Sequence, residues 1–344
     1  MTGLGIVLQY LFSGVYVCVF GGSGWCAVDK ELMRYLVRLL LSGVIVGFDN
    51  QVVDGKVKVY VRSAGDVILY NLASEFEGVS LEYVEVGDVR FLSSDVPNRG
   101  KFRPVRPGVS VGLPGWGTGT LTGVFRDSYG RVFLASNAHV FTKDPTLCPY
   151  EVKDRDVIQP GVHDGGGLGD VVARYSWHQP IVTLGKPVSC CRVSRLVAGV
   201  LSWLSGVLGR RTRFVPTQVP VNFIDFAVAS PLVEFDVVPV GLDLSEYNIV
   251  GVGFAGSDIV SVVVNVYNIL KVGFEPVGFK PVPVKAGMAV VKTGRTTGVT
   301  RGVVLSPSSV VSVNLGGDVA VFVDVILTSR MLEPGDSGSP VFAL

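Results

Sequence analysis

The sequence predicts a mainly β fold, and three observations support this class. Valine-rich runs such as 52–61, 258–269 and 318–327 alternate apolar with polar residues or form short apolar blocks. Gly, Pro, Asp and Asn flank these runs, as is typical of short strands joined by turns. The 344 residues include 43 glycines, and few stretches have helical periodicity. A chain of this length and pattern is expected to form two or three structural units dominated by strands.

The first part of the chain departs from this pattern. Residues 1–28 form an apolar segment in which 4–20 carry no charge. A secretory signal normally begins with a positively charged region, which this run lacks. The run is also at the short limit for spanning a bilayer. It is therefore a membrane anchor, a buried strand, or sequence encoded upstream of the true start codon. Residues 29–95 then predict a small α+β domain, with Asp29 as the helix N-cap and strands after the helix. The segment 93–108 is a linker by its Pro, Gly and charge content.

A second helical pattern interrupts the later β region at about 192–213. Apolar residues recur there at helical spacing, with arginines at both ends of the segment: Leu196, Val200, Trp203, Leu204 and Val207. We expect a helix that packs on the domain. The alternative is a helix that lies on an anionic membrane.

The composition limits the partners of the chain. It is 48% hydrophobic and 17% charged, with a net charge of +1, so it can bury a sizeable core but lacks the basic surplus of a nucleic-acid-binding protein. The five cysteines show no CxxC spacing and predict neither a disulfide framework nor a zinc site: Cys18, Cys26, Cys148, Cys190 and Cys191. We interpret them mainly as buried thiols, which favours a cytoplasmic location.

The stretch EPGDSGSPVF, residues 333–342, is the first candidate for chemistry. Ser337 is either a turn serine or a nucleophile, and a nucleophile needs a base and oxyanion donors. Gly335 and Gly338 permit a sharp turn that would aim the N–H groups of Gly335 and Ser337 at one point, as an oxyanion hole requires.

The base must come from one of three histidines: His139, His163 and His178. His139 follows the apolar run 132–135, which places it just past a strand end. Asp225 lies within the apolar stretch VNFIDFAVA, where an unpaired charge would be costly. It is therefore expected either to orient a histidine or to cap local backbone N–H groups.

SNAHV, NFIDFAVA and GDSGSP resemble the three catalytic blocks of the trypsin/chymotrypsin-like serine protease superfamily, in the same order. VKTGRTTGVTRGVV, RPVRPGVSVG and QPGVHDGG are similar to elements of a microbial subgroup with a GRTTG element, the Nal1-like trypsin-type peptidases. The resemblance covers about 101–344.

The resemblance implies two six-stranded β-barrels, the first within 96–232 and the second within 233–344. It implies that Ser337 is the nucleophile, His139 the general base and then general acid, and Asp225 the residue that orients His139. Gly335 and Ser337 would donate the oxyanion-hole N–H groups, with no metal or cofactor. The substrate would be a protein or peptide.

The chain departs from this superfamily after the serine. Only seven residues follow Ser337, whereas members continue through further strands, so we expect the second barrel to be incomplete. A fragment is the favoured explanation, ahead of completion by another chain or a degenerate relative. No cleavage site is evident that would create a new N-terminus to pair with Asp336. The leading hypothesis is a serine endopeptidase; the alternatives are a non-catalytic binding module on a protease fold, an inactive fragment and a membrane-associated structural protein.

Overall fold

The computed structural model describes residues 26–27, 30–87, 98–184, 190, 192–207, 214, 220–315 and 317–344. The predicted apolar segment 4–20 lies outside these residues, as do residues 93–97 of the predicted linker. Among the described helices, none is long and apolar enough to cross a membrane. The predicted mainly β class is confirmed, since the described chain contains more strand than helix and most of its strands lie in two curled sheets.

The first elements form a small α+β arrangement. Its helices and strands are α1 (Lys30–Leu41), α2 (Ala64–Leu69), β1 (Cys26–Ala27), β2 (Gly47–Asp49), β3 (Gln51–Val52), β4 (Lys56–Val61), β5 (Glu75–Phe76) and β6 (Val79–Glu85). The predicted amphipathic helix is confirmed, and α1 buries Leu32, Leu36 and Leu40. Because the apolar spacing of 3.6 residues places these leucines on one face, they can share a single core with the neighbouring sheet.

The next elements build the first curled sheet and contribute one short strand, Val221–Asn222, to the second. They are β7 (Ser110–Gly112), β8 (Thr118–Thr120), β9 (Gly123–Asp127), β10 (Val132–Ser136), α3 (Ala138–Phe141), β11 (Asp156–Ile158), β12 (Val171–His178), α4 (Arg192–Val207), β13 (Val221–Asn222) and β14 (Ala227–Pro231), with 3-10 helices at Pro149–Glu151, Val162–Asp164 and Leu168–Asp170. Helix α4 is the predicted insertion, but its apolar side chains are exposed instead of packed on the domain.

The remaining elements build the second curled sheet and one edge of the first. They are β15 (Asn248–Gly256), β16 (Val260–Asn265), α5 (Val266–Lys271), β17 (Phe274–Pro276), β18 (Lys280–Pro281), β19 (Ala289–Gly294), β20 (Gly298–Leu315), β21 (Asp318–Ser329) and β22 (Pro340–Ala343). The first sheet has the order β17-β9-β10-β14-β12-β11-β7-β8. The predicted strand before the SNAH motif is confirmed as β10.

Six strands of the second sheet pair in a ring, in the order β15-β16-β21-β20-β19-β22 and back to β15. The ring encloses a valine-rich core that includes Val250, Val263, Val290 and Val341. Its last strand, β22, follows Ser337 directly and lies between β15 and β19, where Phe342 pairs with both Ile249 and Val291. The nucleophile candidate therefore precedes a strand that is held on both sides.

This ring corrects the prediction of an incomplete second barrel. That prediction sought the missing strands after Ser337, whereas the hairpin of β15 and β16 lies earlier in the chain and fills the gap between β21 and β22. Because its strands come from both sides of the β19–β21 segment, the ring has no unpaired strand at this position.

The α+β elements at the beginning of the chain extend the same sheet. Strand β2 pairs with β20 through Phe48 and Val310, and the order continues through β4 and β6 to β5. Helix α1 packs its leucines against Val310, Val321 and Val323 of the ring. These elements are thus joined to the second barrel by both hydrogen bonds and a common core.

The cysteine interpretation is wrong for two residues. Cys148 and Cys190 form a disulfide, with their Cα atoms 5.4 Å apart and a sequence separation of 42. It ties the chain just before α4 to the 3-10 helix Pro149–Glu151. Sequence spacing alone could not reveal this pair, because folding of the intervening chain brings the two residues together. The inference of a reducing compartment from buried thiols therefore loses its basis.

Candidate active site

His139 lies in the short helix α3 at the end of strand β10, on a rigid support. The strand is buried over Phe133 to Ser136, and the chain turns at Asn137. The imidazole is partly exposed, with 18% of its side-chain surface accessible. It therefore combines a fixed backbone with access from solvent.

Asp225 is fully buried beside His139, and its Oδ2 lies 2.5 Å from His139 Nδ1. The register of the sheet explains this contact, because Ala227 of β14 pairs with Ser136 of β10. His139, shortly after Ser136, and Asp225, shortly before Ala227, therefore lie next to each other. A carboxylate at Nδ1 favours the tautomer with a proton on Nδ1, and leaves Nε2 as the basic nitrogen.

The second oxygen of Asp225 caps the backbone. Oδ1 accepts a hydrogen bond from Ala138 N at 2.6 Å, and Asn137 Nδ2 donates to the Asp225 carbonyl at 2.7 Å. The two roles considered for this residue, a partner of a histidine and a cap for local N–H groups, are thus both present. Together they fix the position of the carboxylate and of the segment that carries His139.

Ser337 lies at the tip of a turn that only glycines can complete. Gly335 and Gly338 have φ values of 91° and 96°, in the region that L side chains rarely adopt. A Cβ on Gly338 would be 2.0 Å from Thr120 O, and one on Gly335 would be 2.4 Å from Thr296 Oγ1. The turn therefore packs closely against both curled sheets.

The serine is held where the two sheets meet. Its Oγ donates to Phe254 O at 3.2 Å on β15 of the second sheet. Its carbonyl accepts from Thr120 N at 2.8 Å on β8 of the first. Gly119 separates this carbonyl from the helix of His139, since a Cβ there would lie 2.9 Å from Ser337 O and 2.5 Å from Val140 Cγ2. The structure thus brings Ser337 close to the helix that carries the imidazole.

The backbone around Ser337 contains candidate oxyanion donors. Within the described part of the chain, no hydrogen bond uses the N–H of Gly335 or of Ser337 as donor. The next N–H groups in the turn are engaged, with Gly338 N donating to Gly253 O and Ser339 N to Asp336 O, both at 2.8 Å. Two N–H groups at the tip of the turn are therefore available to an oxygen from a ligand.

A buried ion pair that was not predicted from the sequence stabilises the turn that contains Ser337. Lys292 Nζ lies 2.9 Å from Asp336 Oδ2, and both side chains are fully buried. Asp336 also accepts from Thr296 N at 2.9 Å and from Thr297 Oγ1 at 2.6 Å. Burial lowers the pKa of Lys292, and the negative charge of Asp336 opposes that shift. The KTGRTT segment thus holds the residue next to the nucleophile candidate.

A second buried ion pair joins the two sheets beside this segment. Arg295 donates from Nε and Nη2 to the two oxygens of Asp164, each at 2.7 Å. Burial alone would raise the pKa of Asp164, but the hydrogen bonds from Arg295 and Ser110 and the positive charges of Arg295 and Arg99 outweigh it and lower that pKa. The GVHDGG loop of the first sheet is therefore fixed to the GRTT turn of the second by a bidentate contact.

The two other histidines lie outside the His139–Asp225 pair. His163 is exposed in the GVHDGG loop, and its backbone N–H donates to Thr118 Oγ1 at 3.1 Å. His178 is fully buried in β12, with Nδ1 2.5 Å from the Tyr175 hydroxyl. Burial lowers the pKa of His178 to about 4, so it is a neutral core residue at neutral pH.

No metal site accompanies these residues in the described part of the chain, where no three His, Cys, Asp or Glu side chains are grouped to hold an ion. The groups that the site does contain are a serine hydroxyl, an imidazole with a buried carboxylate, and backbone N–H donors. This combination suits the transfer of an acyl group.

Comparison with protein-family models and with curated proteins finds no match for this sequence. Among solved structures, the chain is similar to a Nocardiopsis protease, NAPase, with 13% identity and a TM-score of 0.33. The match covers 70% of this chain and 78% of that one. It is also similar to a glutamic-acid-specific serine protease, with 14% identity and a TM-score of 0.33, over 70% of this chain and 92% of that one.

Proposed function

We propose that the protein is a serine hydrolase of the endopeptidase type, with Ser337 as nucleophile, His139 as general base and Asp225 as the residue that orients the imidazole. One observation carries the proposal. A fully buried carboxylate lies 2.5 Å from His139 Nδ1, at the junction of the sheets where the Ser337 turn also lies. An aspartate at Nδ1 holds the proton on that nitrogen, so Nε2 is the nitrogen that would take a proton from the hydroxyl.

The proposed reaction begins with transfer of the Ser337 hydroxyl proton to His139 Nε2. In the structure this hydroxyl donates to Phe254 O, so it must turn from that carbonyl towards the imidazole when substrate binds. Oγ then forms a bond to the carbonyl carbon of the scissile peptide, and the C=O π electrons move onto oxygen. The N–H groups of Gly335 and Ser337 would stabilise that negative charge.

The tetrahedral intermediate collapses when His139 gives its proton to the leaving amine, which leaves an acyl group on Ser337. A water molecule, deprotonated by the same imidazole, then releases the carboxylic acid product and restores the hydroxyl. Protein dipoles and one buried carboxylate supply the charge stabilisation, so the proposal requires no cofactor. The proposed substrate is a protein or an extended peptide.

The finer assignment to the subgroup with a GRTTG element is also a proposal. Support comes from the positions of Lys292 and Arg295, since each forms a buried ion pair next to the Ser337 turn or the loop that faces it. A segment with only a hairpin role would have no need of two buried cations.

Labelling with a fluorophosphonate tests the proposal directly, because this reagent captures only an activated serine. We expect mass spectrometry of the purified chain to locate the label on Ser337, and the Ser337→Ala and His139→Ala variants to lose it. Ser176→Ala, at an exposed position, is the matched control and should label like the original chain. A folded chain that remains unlabelled would refute the hydrolase and favour a non-catalytic binding module.

A further inference from the structure

Helix α4, Arg192–Val207, presents its apolar face to solvent. Leu196 and Trp203 are 69% and 66% exposed, and Val193, Val200, Leu204 and Val207 are exposed beside them. At 100° per residue these side chains fall on one broad stripe. The small and polar residues Ala198 and Ser205 are the buried ones. The helix is therefore turned the opposite way from a surface helix of an ordinary globular protein.

Specific contacts hold the helix in this orientation. Ser202 Oγ accepts from Phe214 N at 2.9 Å and donates to Phe214 O at 3.2 Å. At the other end, Arg195 Nη1 donates to Glu151 Oε1 at 2.8 Å and to the Tyr150 hydroxyl at 2.7 Å. The Cys148–Cys190 disulfide fixes the chain just before the helix. The apolar stripe is thus displayed by an anchored element.

The charge of the sequence that includes and flanks the helix indicates what would cover the stripe. Between Asp170 and Asp225 the sequence has no Asp or Glu, while it has Lys or Arg at seven positions: Arg174, Lys186, Arg192, Arg195, Arg210, Arg211 and Arg213. This surplus is local, because the whole chain has a net charge of only +1. A basic segment next to an apolar stripe complements a surface of anionic headgroups over acyl chains.

We propose that α4 binds in the plane of an anionic lipid bilayer, with its apolar stripe among the acyl chains and the neighbouring arginines at the headgroups. Sixteen residues make a helix about 24 Å long at 1.5 Å per residue, which is shorter than a bilayer core and suits a helix lying flat. Trp203 lies on the stripe, where an aromatic side chain favours the membrane interface.

A second copy of the chain fits this surface less well. A symmetric pair would bring two stripes together and with them two segments rich in arginine, so that like charges would oppose the contact. A lipid surface of negative charge meets both the apolar and the basic parts of the helix.

Flotation with vesicles of phosphatidylcholine, with or without about 30% phosphatidylserine, tests this proposal on the full chain. We expect the chain to float with anionic vesicles. The Leu196→Ser/Val200→Ser/Leu204→Ser variant should bind about a hundredfold to a thousandfold more weakly, since each lost apolar side chain reduces partitioning about five- to tenfold. The matched control is Ile68→Ser/Leu69→Ser/Leu168→Ser, at positions 84%, 73% and 75% exposed elsewhere, and it should float like the original chain.

A second variant separates charge from apolar contact. Arg210→Glu/Arg211→Glu/Arg213→Glu should abolish the preference for anionic over neutral vesicles. Thermal unfolding of each variant verifies that the fold is intact. The proposal is overturned if the chain does not float, or if the helix variant floats as well as the original, which would assign binding to another segment such as 4–20. It is also overturned if light scattering without lipid shows a dimer that the helix variant breaks.

Discussion

Lys292 and Asp336 form an ion pair from which solvent is excluded, immediately before the nucleophile candidate Ser337. The cation comes from strand β19 of the same barrel, so the carboxylate has a partner without a new N-terminus. This arrangement supports the hypothesis, formed from the sequence, that the site does not require activation by cleavage.

Removal of the lysine charge should disrupt the turn. Lys292→Met would leave Asp336 charged and unpaired in the core, which we expect to destabilise the protein by about 3–5 kcal/mol and to abolish fluorophosphonate labelling of Ser337. Urea unfolding measures the first effect and mass spectrometry the second. The control is Lys285→Met at an exposed position, which should change neither.

A double-mutant cycle shows whether the effect belongs to the pair. Lys292→Met combined with Asp336→Asn should be less destabilised than the sum of the single variants, because the second change removes the unpaired charge. Additive losses would show that the two side chains stabilise the protein independently.

The Asp225→Asn variant should separate the effect of Asp225 on His139 from its effect on the stability of the fold. The amide oxygen can still accept from Ala138 N, so we expect the free energy of unfolding to change little, but the amide group does not stabilise a protonated imidazole. The rate of Ser337 labelling should fall by about 10⁴-fold, as measured by stopped labelling time courses. Asp258→Asn, whose side chain is 94% exposed, provides the comparison, and equal rates in the two variants would remove Asp225 from the proposed mechanism.

Acidification should destabilise the protein through His178. Its pKa is lowered from 6.5 to about 4 in the folded state, so between these values the unfolded chain binds a proton that the folded chain excludes. Stability should therefore fall as the pH falls below 6.5, by about 2 kcal/mol between pH 7.5 and pH 5. Urea unfolding at the two pH values measures this loss.

His178→Gln should flatten that dependence, whereas His163→Gln, at an exposed position, should leave it unchanged. An equal slope in the original chain and the His178 variant would mean that another group controls the acid sensitivity.

The disulfide predicts a fixed pattern of thiol reactivity. Under denaturing conditions without reductant, Cys148 and Cys190 should not react with an alkylating agent, and both should react after reduction. Because the bond closes a loop with a separation of 42 residues, its loss should destabilise the fold by about 4 kcal/mol in the chain-entropy model. Five alkylated cysteines before reduction would exclude the bond, and Cys18→Ser, outside the pair, serves as the control for stability.

Much of the candidate site could be predicted from local sequence, because its residues break the pattern around them. Asp225 is an acid within an apolar run, and Ser337 lies between two glycines that the turn requires. Lys292, a cation in the strand AVVKTG, has the same signature as Asp225 and could be found by the same criterion. The partner of such a residue is harder to predict, because a buried charge indicates that a partner exists but not which residue it is.

The order of strands in the second barrel could not be predicted in this way. Periodicity identifies β15 and β22 as strands, but the pairing of Ile249 with Phe342 depends on how the intervening chain folds. The same limit applies to the Cys148–Cys190 bond. For α4 the pattern predicts the helix correctly but leaves its orientation open, because a stripe of apolar residues has the same spacing whether it faces a core or solvent.

The position of β22 in the ring also implies that the proposed site is assembled at the same step of folding as the second barrel. This strand must enter between β15 and β19, and contacts that join such distant parts of a chain form late, after the cost of closing the loop between them. Ser337 immediately precedes the strand, so closure of the ring and arrival of the hydroxyl at the junction of the two sheets are one event. If Ser337 is the nucleophile, a partly folded chain would therefore have no hydrolytic activity towards a substrate or towards unfolded copies of itself.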